Sequence, residues 1–120
     1  MADRKRYPYT KRLKLIKAGA GAEYISDNPV KPAKVLVLTS ISVEDKTSAL
    51  TKVRIGKQSG GYFHSWEEAL TPAAGELSFS AEEHWIRTAE YFQAELTGGV
   101  AADECWAYLD GYWFKWEESE

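Results

Sequence analysis

The sequence predicts a mainly β protein, an antiparallel two-sheet sandwich of jelly-roll-like form with an extended basic N-terminal arm. Three observations predict it. Short runs of β-branched and aromatic residues are separated by Gly, Pro, Asn and Asp clusters. Residues 48–56 alternate apolar and polar side chains, as a half-buried strand does. The chain has 120 residues, 44% hydrophobic and 28% charged, which suits one globular domain with a single core. The expected division is an arm over residues 1–12 and one sandwich domain over residues 13–120.

The elements follow in order. Residues 1–12 carry five cations and one anion, lack apolar periodicity, and include Pro8, which blocks a helix. Two readings of this segment stand: an arm reaching a neighbouring subunit, or a basic edge strand folded back on the chain's own acidic half. Leu13–Ala18 is a short strand candidate, the glycines at 19 and 21 form a turn, and residues 23–26 resume strand. A Gly-x-Gly without a third glycine and a following helix is no phosphate loop. Residues 35–43 and 48–56 predict a β-hairpin, with Val35, Val37, Ile41 and Val43 on one face of its first strand. On the second strand Ala49, Thr51, Val53 and Ile55 point inward. Tyr62–Trp66 is an aromatic patch, and Leu77–Phe79 a further short strand.

Residues 80–97 read locally as a helix. Ser80-Ala81-Glu82-Glu83 fits a capping box, Gly98 would end the helix, and Trp85, Ala89, Phe92 and Leu96 fall on one helical face. A strand reading exists beside it, because Phe92, Ala94 and Leu96 alternate with polar neighbours. At the C-terminus Asp110-Gly111 predicts a tight turn between strands 104–109 and 112–117, followed by an acidic tail.

The net charge of −3 conceals an asymmetry. Residues 1–63 carry a net charge of +8 and residues 64–120 a net charge of −11. Either strands from the two halves interleave and neutralise one another, or the surface is bipolar and a positive patch on one copy meets a negative patch on the next. The overall acidity argues against general nucleic-acid binding, leaving only the first segment able to touch phosphates.

Catalytic and metal chemistry find little support. The two histidines, His64 and His84, have no metal-ligand spacing, and the single cysteine, Cys105, excludes a multi-cysteine zinc site and an intramolecular disulfide. His64 reads as a packing or surface residue, His84 as part of a solvated face, and Cys105 as a buried structural thiol. There is no Gly-x-Ser-x-Gly elbow. Asp103, Glu104 and Asp110 lack the spacing of an EF-hand, and turn formation accounts for the two aspartates. The expectation is a non-enzymatic protein with no cofactor and no metal. No apolar run approaches the roughly 18–20 residues that span a bilayer, and the N-terminus lacks the apolar region of a secretory signal.

The order of features resembles the small β-sandwich structural proteins of tailed-bacteriophage particles. The residues that carry it are Val-Leu-Val-Leu-Thr-Ser-Ile-Ser-Val-Glu-Asp-Lys-Thr at 35–47, Thr-Ala-Glu-Tyr-Phe at 88–92, and residues 96–104 ahead of Trp106-Ala107-Tyr108-Leu109-Asp110-Gly111-Tyr112. It spans roughly residues 24–114. Its implications are a virion location after synthesis in the host cytoplasm, a head–tail connector, decoration or tail and fibre attachment role, and partners among other virion proteins and copies of itself. It also implies strand over 89–96, with a short helical turn left at 81–86.

Five tryptophans fall between positions 66 and 116. In residues 105–116, Trp106, Tyr108, Tyr112 and Phe114 alternate against Trp113 and Trp116, so one set fills a core and the other is exposed or covered by a partner. The expected partner surfaces are the arm (Arg4, Lys5, Arg6, Tyr7, Tyr9, Lys11 and Arg12) and an aromatic interface of Trp66, Trp113 and Trp116. The alternative function is a carbohydrate-binding module that stacks sugars on Trp66, Trp113 or Trp116.

Overall fold

The computed structural model describes residues 5–116. Its strands are β1 (Tyr7–Ile16), β2 (Glu23–Ser26), β3 (Lys34–Asp45), β4 (Leu50–Ser59), β5 (Tyr62–Leu70), β6 (Ser78–Ser80), β7 (His84–Ile86), β8 (Tyr91–Gly98) and β9 (Glu104–Lys115). One sheet runs β1-β9-β3-β6, with β7 also on β3, and the other runs β2-β8-β4-β5. All pairings are antiparallel. β6 and β7 lie along the same side of β3, against residues 41–43 and 36–38, and act as one interrupted strand. Counted so, eight strands form two four-stranded sheets in jelly-roll order. None of the described residues is helical, so no helix is long and apolar enough to cross a membrane.

The core fills the space between the sheets. Leu36, Leu38, Ile41 and Val43 from β3 meet Val53 and Ile55 from β4, Phe92, Ala94 and Leu96 from β8, and Cys105, Ala107 and Leu109 from β9. Burying a side chain such as Phe92 is worth about 2–3 kcal/mol. A bulge between Leu38 and Ser40 changes the parity of β3. The core face is therefore Leu36 and Leu38, then Ile41 and Val43, whereas Val35 and Val37 turn to the outer face with Phe114. On β4 a second irregularity, between Leu50 and Lys52, places Leu50 inward while Ala49 and Thr51 are exposed.

Four expectations are corrected. First, residues 35–56 are not a hairpin, because β3 and β4 lie in different sheets. Buried Asp45 accepts the backbone N–H groups of Thr47 (2.9 Å) and Ser48 (3.1 Å), and the chain crosses to the facing sheet there. Each strand is already flanked on both sides, β3 by β9 and β6/β7, β4 by β8 and β5. The hairpin is β4–β5, closed by Gly60 (φ 60°) and Gly61 (φ 85°), the pair of positive φ values a type I′ turn requires.

Second, residues 104–115 form one continuous strand. Gly111 makes no turn. A Cβ there would lie 2.0 Å from the Val37 carbonyl oxygen, so the glycine admits close approach of the backbone opposite the β3 bulge. Third, residues 81–86 contain no helical turn. Ser80 uses its hydroxyl on His84 Nε2 (2.8 Å), and residues 84–86 pair with β3. Residues 91–98 are strand as the phage resemblance implies, and Ala89 (φ 69°) sits in the turn before it. Fourth, the arm boundary at residue 12 falls inside β1, whose residues 7–12 pair with residues 113–108 of β9. Residues 7–12 of the basic segment lie as an edge strand on the acidic half of the chain.

Candidate functional site

The N-terminal cations are displayed by β1. Its odd-numbered residues face inward and are half-buried, and its even-numbered residues are exposed. Arg12 and Lys14 thus stand on the outer face, opposite Tyr108 and Trp106. Arg6 reaches over Tyr112, its guanidinium 4.3 Å from the ring centroid. Lys11 turns inward to Asp27 Oδ1 (2.6 Å), and Tyr9 donates its hydroxyl to Asp27 Oδ2. Burial and the Asp27 carboxylate both raise the Tyr9 hydroxyl pKa. Lys5 is exposed, and Arg4 lies outside the described residues.

The three expected interface tryptophans do not share a surface. Trp66 is the extra residue of a bulge in β5, because Ile55 pairs with Glu67 and Gly56 with Ser65. A Cβ at Gly56 would meet the His64 carbonyl oxygen at 2.0 Å, so glycine is what lets the two strands close here. The Trp66 ring lies flat on His84 (4.1 Å, 4°), at the margin of the core. Trp113 stacks on Tyr7 (4.2 Å, 18°), with Lys34 Nζ 4.1 Å from its ring centroid. A stacked ring leaves no room for an ammonium on the same side, so both faces of Trp113 are covered. Trp116 is 51% exposed beyond the end of β9.

The aromatic surface belongs to the other set. Small and aliphatic side chains of β9 (Cys105, Ala107 and Leu109) fill the inter-sheet space, and Trp106, Tyr108 and Tyr112 point outward. Trp106 is ringed by Lys46 (5.3 Å), Lys14 (5.4 Å) and Arg12 (6.0 Å), within cation–π range. Its Nε1 donates to Glu104 (2.6 Å). Tyr108 donates to Glu44 (2.6 Å), and its pKa is pushed up to about 12 by burial and that carboxylate. Further along, Phe114 is buried with Val35 and Val37 and meets Trp85 edge-on at 5.5 Å. The signal was present in the sequence: cations at every second position of 12–14 match aromatics at every second position of 106–108. Only the pairing of β1 with β9 brings them together.

A groove of about 210 Å³ opens beside β1, lined by Tyr9, Lys11, Asp27, Lys31, Lys34 and Trp113 among others. It holds three lysines and a carboxylate that is already bonded to Tyr9, Lys11 and the Asn28 N–H.

The groups that could do chemistry are enclosed. Ser80 and His84 are hydrogen-bonded, but they are 3% and 8% exposed, and burial lowers the His84 pKa. His84 is thus part of the interior and not of a solvated face, while His64 is exposed. The Cys105 thiol is pushed up to about 12 by burial and by Asp45, which keeps it protonated and inert. Among the described residues no group of three or more His, Cys, Asp or Glu is placed to hold a metal ion. Asp103 and Asp110 serve the backbone and a neighbour: Asp103 accepts the Val100 N–H (2.9 Å), and Asp110 accepts the Thr10 hydroxyl (3.0 Å).

The architecture is that of jelly-roll sandwiches. No protein-family model matches the sequence, and no curated protein matches it. Among solved structures the chain is similar to a chain of the acidic stable capsid structure of Helicobacter pylori bacteriophage KHP30. That match has 11% identity and a TM-score of 0.57, covering 96% of this chain and 95% of that one. It is also similar to a chain from the disulfide-linked pili that form Bacillus endospore appendages, at 14% identity and a TM-score of 0.45, covering 96% and 94%. A CBM4 structure matches at 14% identity and a TM-score of 0.34, covering 96% and 94%. At these identities the likeness is one of fold.

Proposed function

We propose that this chain is a non-enzymatic structural subunit of a tailed-phage particle, a head–tail connector, decoration or tail-attachment piece that packs against copies of itself and other virion proteins. One observation carries the reading: the jelly roll aligns over 96% of this chain with a chain of a phage capsid structure. Capsid proteins are a recurrent use of this fold. The outward aromatics of β9 and the cations of β1 supply the large, amphipathic side chains that protein interfaces favour. The enclosed state of His84, Ser80 and Cys105 agrees with an absence of catalysis.

The carbohydrate-binding alternative needs an open ring face for a sugar. Trp113 offers none, Trp66 has one side taken by His84, and Trp116, 51% exposed, is the platform this alternative would rest on. Mass spectrometry of purified particles tests the structural role. The chain is expected in intact particles after treatment that strips loosely bound protein. Its confinement to the soluble lysate, together with saturable binding on a glycan array, would replace this reading by the carbohydrate one.

A further inference from the structure

The sheet orders give the sandwich two narrow sides. β1 and β2 are the edge strands at one, and β5 with β6/β7 at the other. These sides carry opposite charge. Residues 5–16 hold Lys5, Arg6, Lys11, Arg12 and Lys14 and no acidic residue. Lys11 is neutralised by Asp27, and Lys14 approaches Glu104 only to 3.9 Å. Arg6 and Arg12 lie over aromatic rings, and among the described residues neither forms an ion pair within 4.0 Å. The opposite side holds Glu67 and Glu68 on β5 and Glu76, Glu82 and Glu83 around β6 and β7. Glu68 is paired with Arg54 (3.0 Å), and Arg87 lies beside Trp85, so this side keeps a net negative charge.

The acidic side is also where apolar side chains stand in water. Leu70, Leu77 and Phe79 are 69%, 51% and 63% exposed. Apolar groups rimmed by one sign of charge mark an interaction surface. The basic side answers with Ile16 and Tyr24, 51% and 44% exposed.

We propose that copies of this chain dock side by side, the basic β1 side of one against the acidic β5/β6/β7 side of the next. The proposal rests on the structural-subunit reading and supplies its contact surfaces. The occupant is a second copy, because the complementary charges and apolar residues occur on one chain. Like charge and Pro8 disfavour two β1 edges meeting in a twofold arrangement. The contact is therefore heterologous and builds a ring or a row.

Charge reversal tests it. One variant carries Arg12→Glu with Lys14→Glu, the other Glu82→Lys with Glu83→Lys. All four side chains are exposed, and circular dichroism checks that both variants fold. Light scattering after gel filtration at low salt should show the unaltered chain above its 13.5 kDa monomer mass. Each variant alone should be monomeric, with association weakened at least about tenfold. A 1:1 mixture of the two should assemble again, because their reversed sides complement each other. Variants that assemble like the unaltered chain would overturn this choice of surfaces and leave the structural role standing. An unaltered chain that stays monomeric at every concentration would overturn docking between copies. Assembly of the basic side with only an unrelated acidic protein would overturn it too. Absence from purified particles would count against the structural role by itself.

Discussion

Glu90 ties two segments together at one point. Its carboxylate accepts Lys57 Nζ (2.8 Å), the Arg87 N–H (2.8 Å) and the Ser59 hydroxyl, tying β4 to the turn that leads from β7 into β8. Burial alone would raise its pKa, but these donors win and lower it to about 2. A depressed carboxylate stabilises the fold above its unfolded pKa and loses that contribution as the pH falls toward 2. Glu90→Gln should therefore cost about 1–3 kcal/mol at pH 7. It should also flatten the acid limb between pH 5 and pH 2 in urea titrations. Asp45 shows the opposite sign. Burial raises its pKa, and Asp103 lies within hydrogen-bonding reach while Oδ2 has no donor. Asp103 is also burdened by burial, but the Val100 N–H, Ser48 hydroxyl and Lys17 hold its pKa down. The pair is satisfied when Asp45 is protonated and donates a hydrogen bond to the Asp103 carboxylate. That stabilisation is present at lower pH and lost as the pH rises through the Asp45 pKa. Asp45→Asn keeps the acceptor for Thr47 and Ser48 and replaces the proton by an amide donor. Denaturation at two pH values, one inside the ordinary carboxylate range and one well above it, should show the variant gaining stability over the unaltered chain at the higher pH. Asp45→Ala should cost about 1–3 kcal/mol at both.

At the scale of elements, β1 and β9 decide how the surface is built. Removing residues 1–12 would strip Tyr7–Arg12 from β9 and uncover Trp113 and the β9 edge. The truncated chain should lose cooperative thermal unfolding or aggregate, whereas a dispensable arm would leave the midpoint unchanged. Gly111→Ala should destabilise by about 3 kcal/mol, since the added methyl meets the Val37 carbonyl at 2.0 Å and the backbone must shift. Equilibrium urea unfolding checks this, and an unchanged midpoint would show that the bulge relaxes freely. The same two strands mark where sequence reading stops. Strand character was legible in β2, β3 and β4, but the bulges that shift the faces of β3 and β4 leave no mark in the sequence, and β8 carries a helical pattern beside its alternation. The Asp-Gly at 110–111 has the composition of a tight turn, and only the close approach of β3 shows why glycine is there. Ser80-x-x-Glu83 has the composition of a helix cap, but the hydroxyl is spent on His84, a contact that depends on packing. The alternation of β9 is legible over residues 105–114, but its faces are the reverse of those expected, and Trp116 lies beyond the strand with the parity of Phe114 and not of Trp113. Large aromatics point out because the inter-sheet space beside Phe92 and Leu96 admits only Cys105, Ala107 and Leu109.

At the scale of the whole molecule, the sandwich class was legible and the crossing from β3 to β4 was not, since strand partners are set by which edges remain open. The charge asymmetry along the chain is partly neutralised by interleaving of the two halves. Strands of the basic half pair with strands of the acidic half and neutralise charge locally, as Lys57–Glu90 (2.8 Å) and Arg54–Glu68 (3.0 Å) do. What is left over is segregated onto the two narrow sides. The proposed docking between copies is tested most directly by the mass of the chain in solution against concentration and salt. Light scattering should give a mass above 13.5 kDa that grows with concentration at low ionic strength and falls toward the monomer as salt screens the charges. A mass fixed at the monomer value from micromolar to millimolar concentration, indifferent to salt, would contradict it.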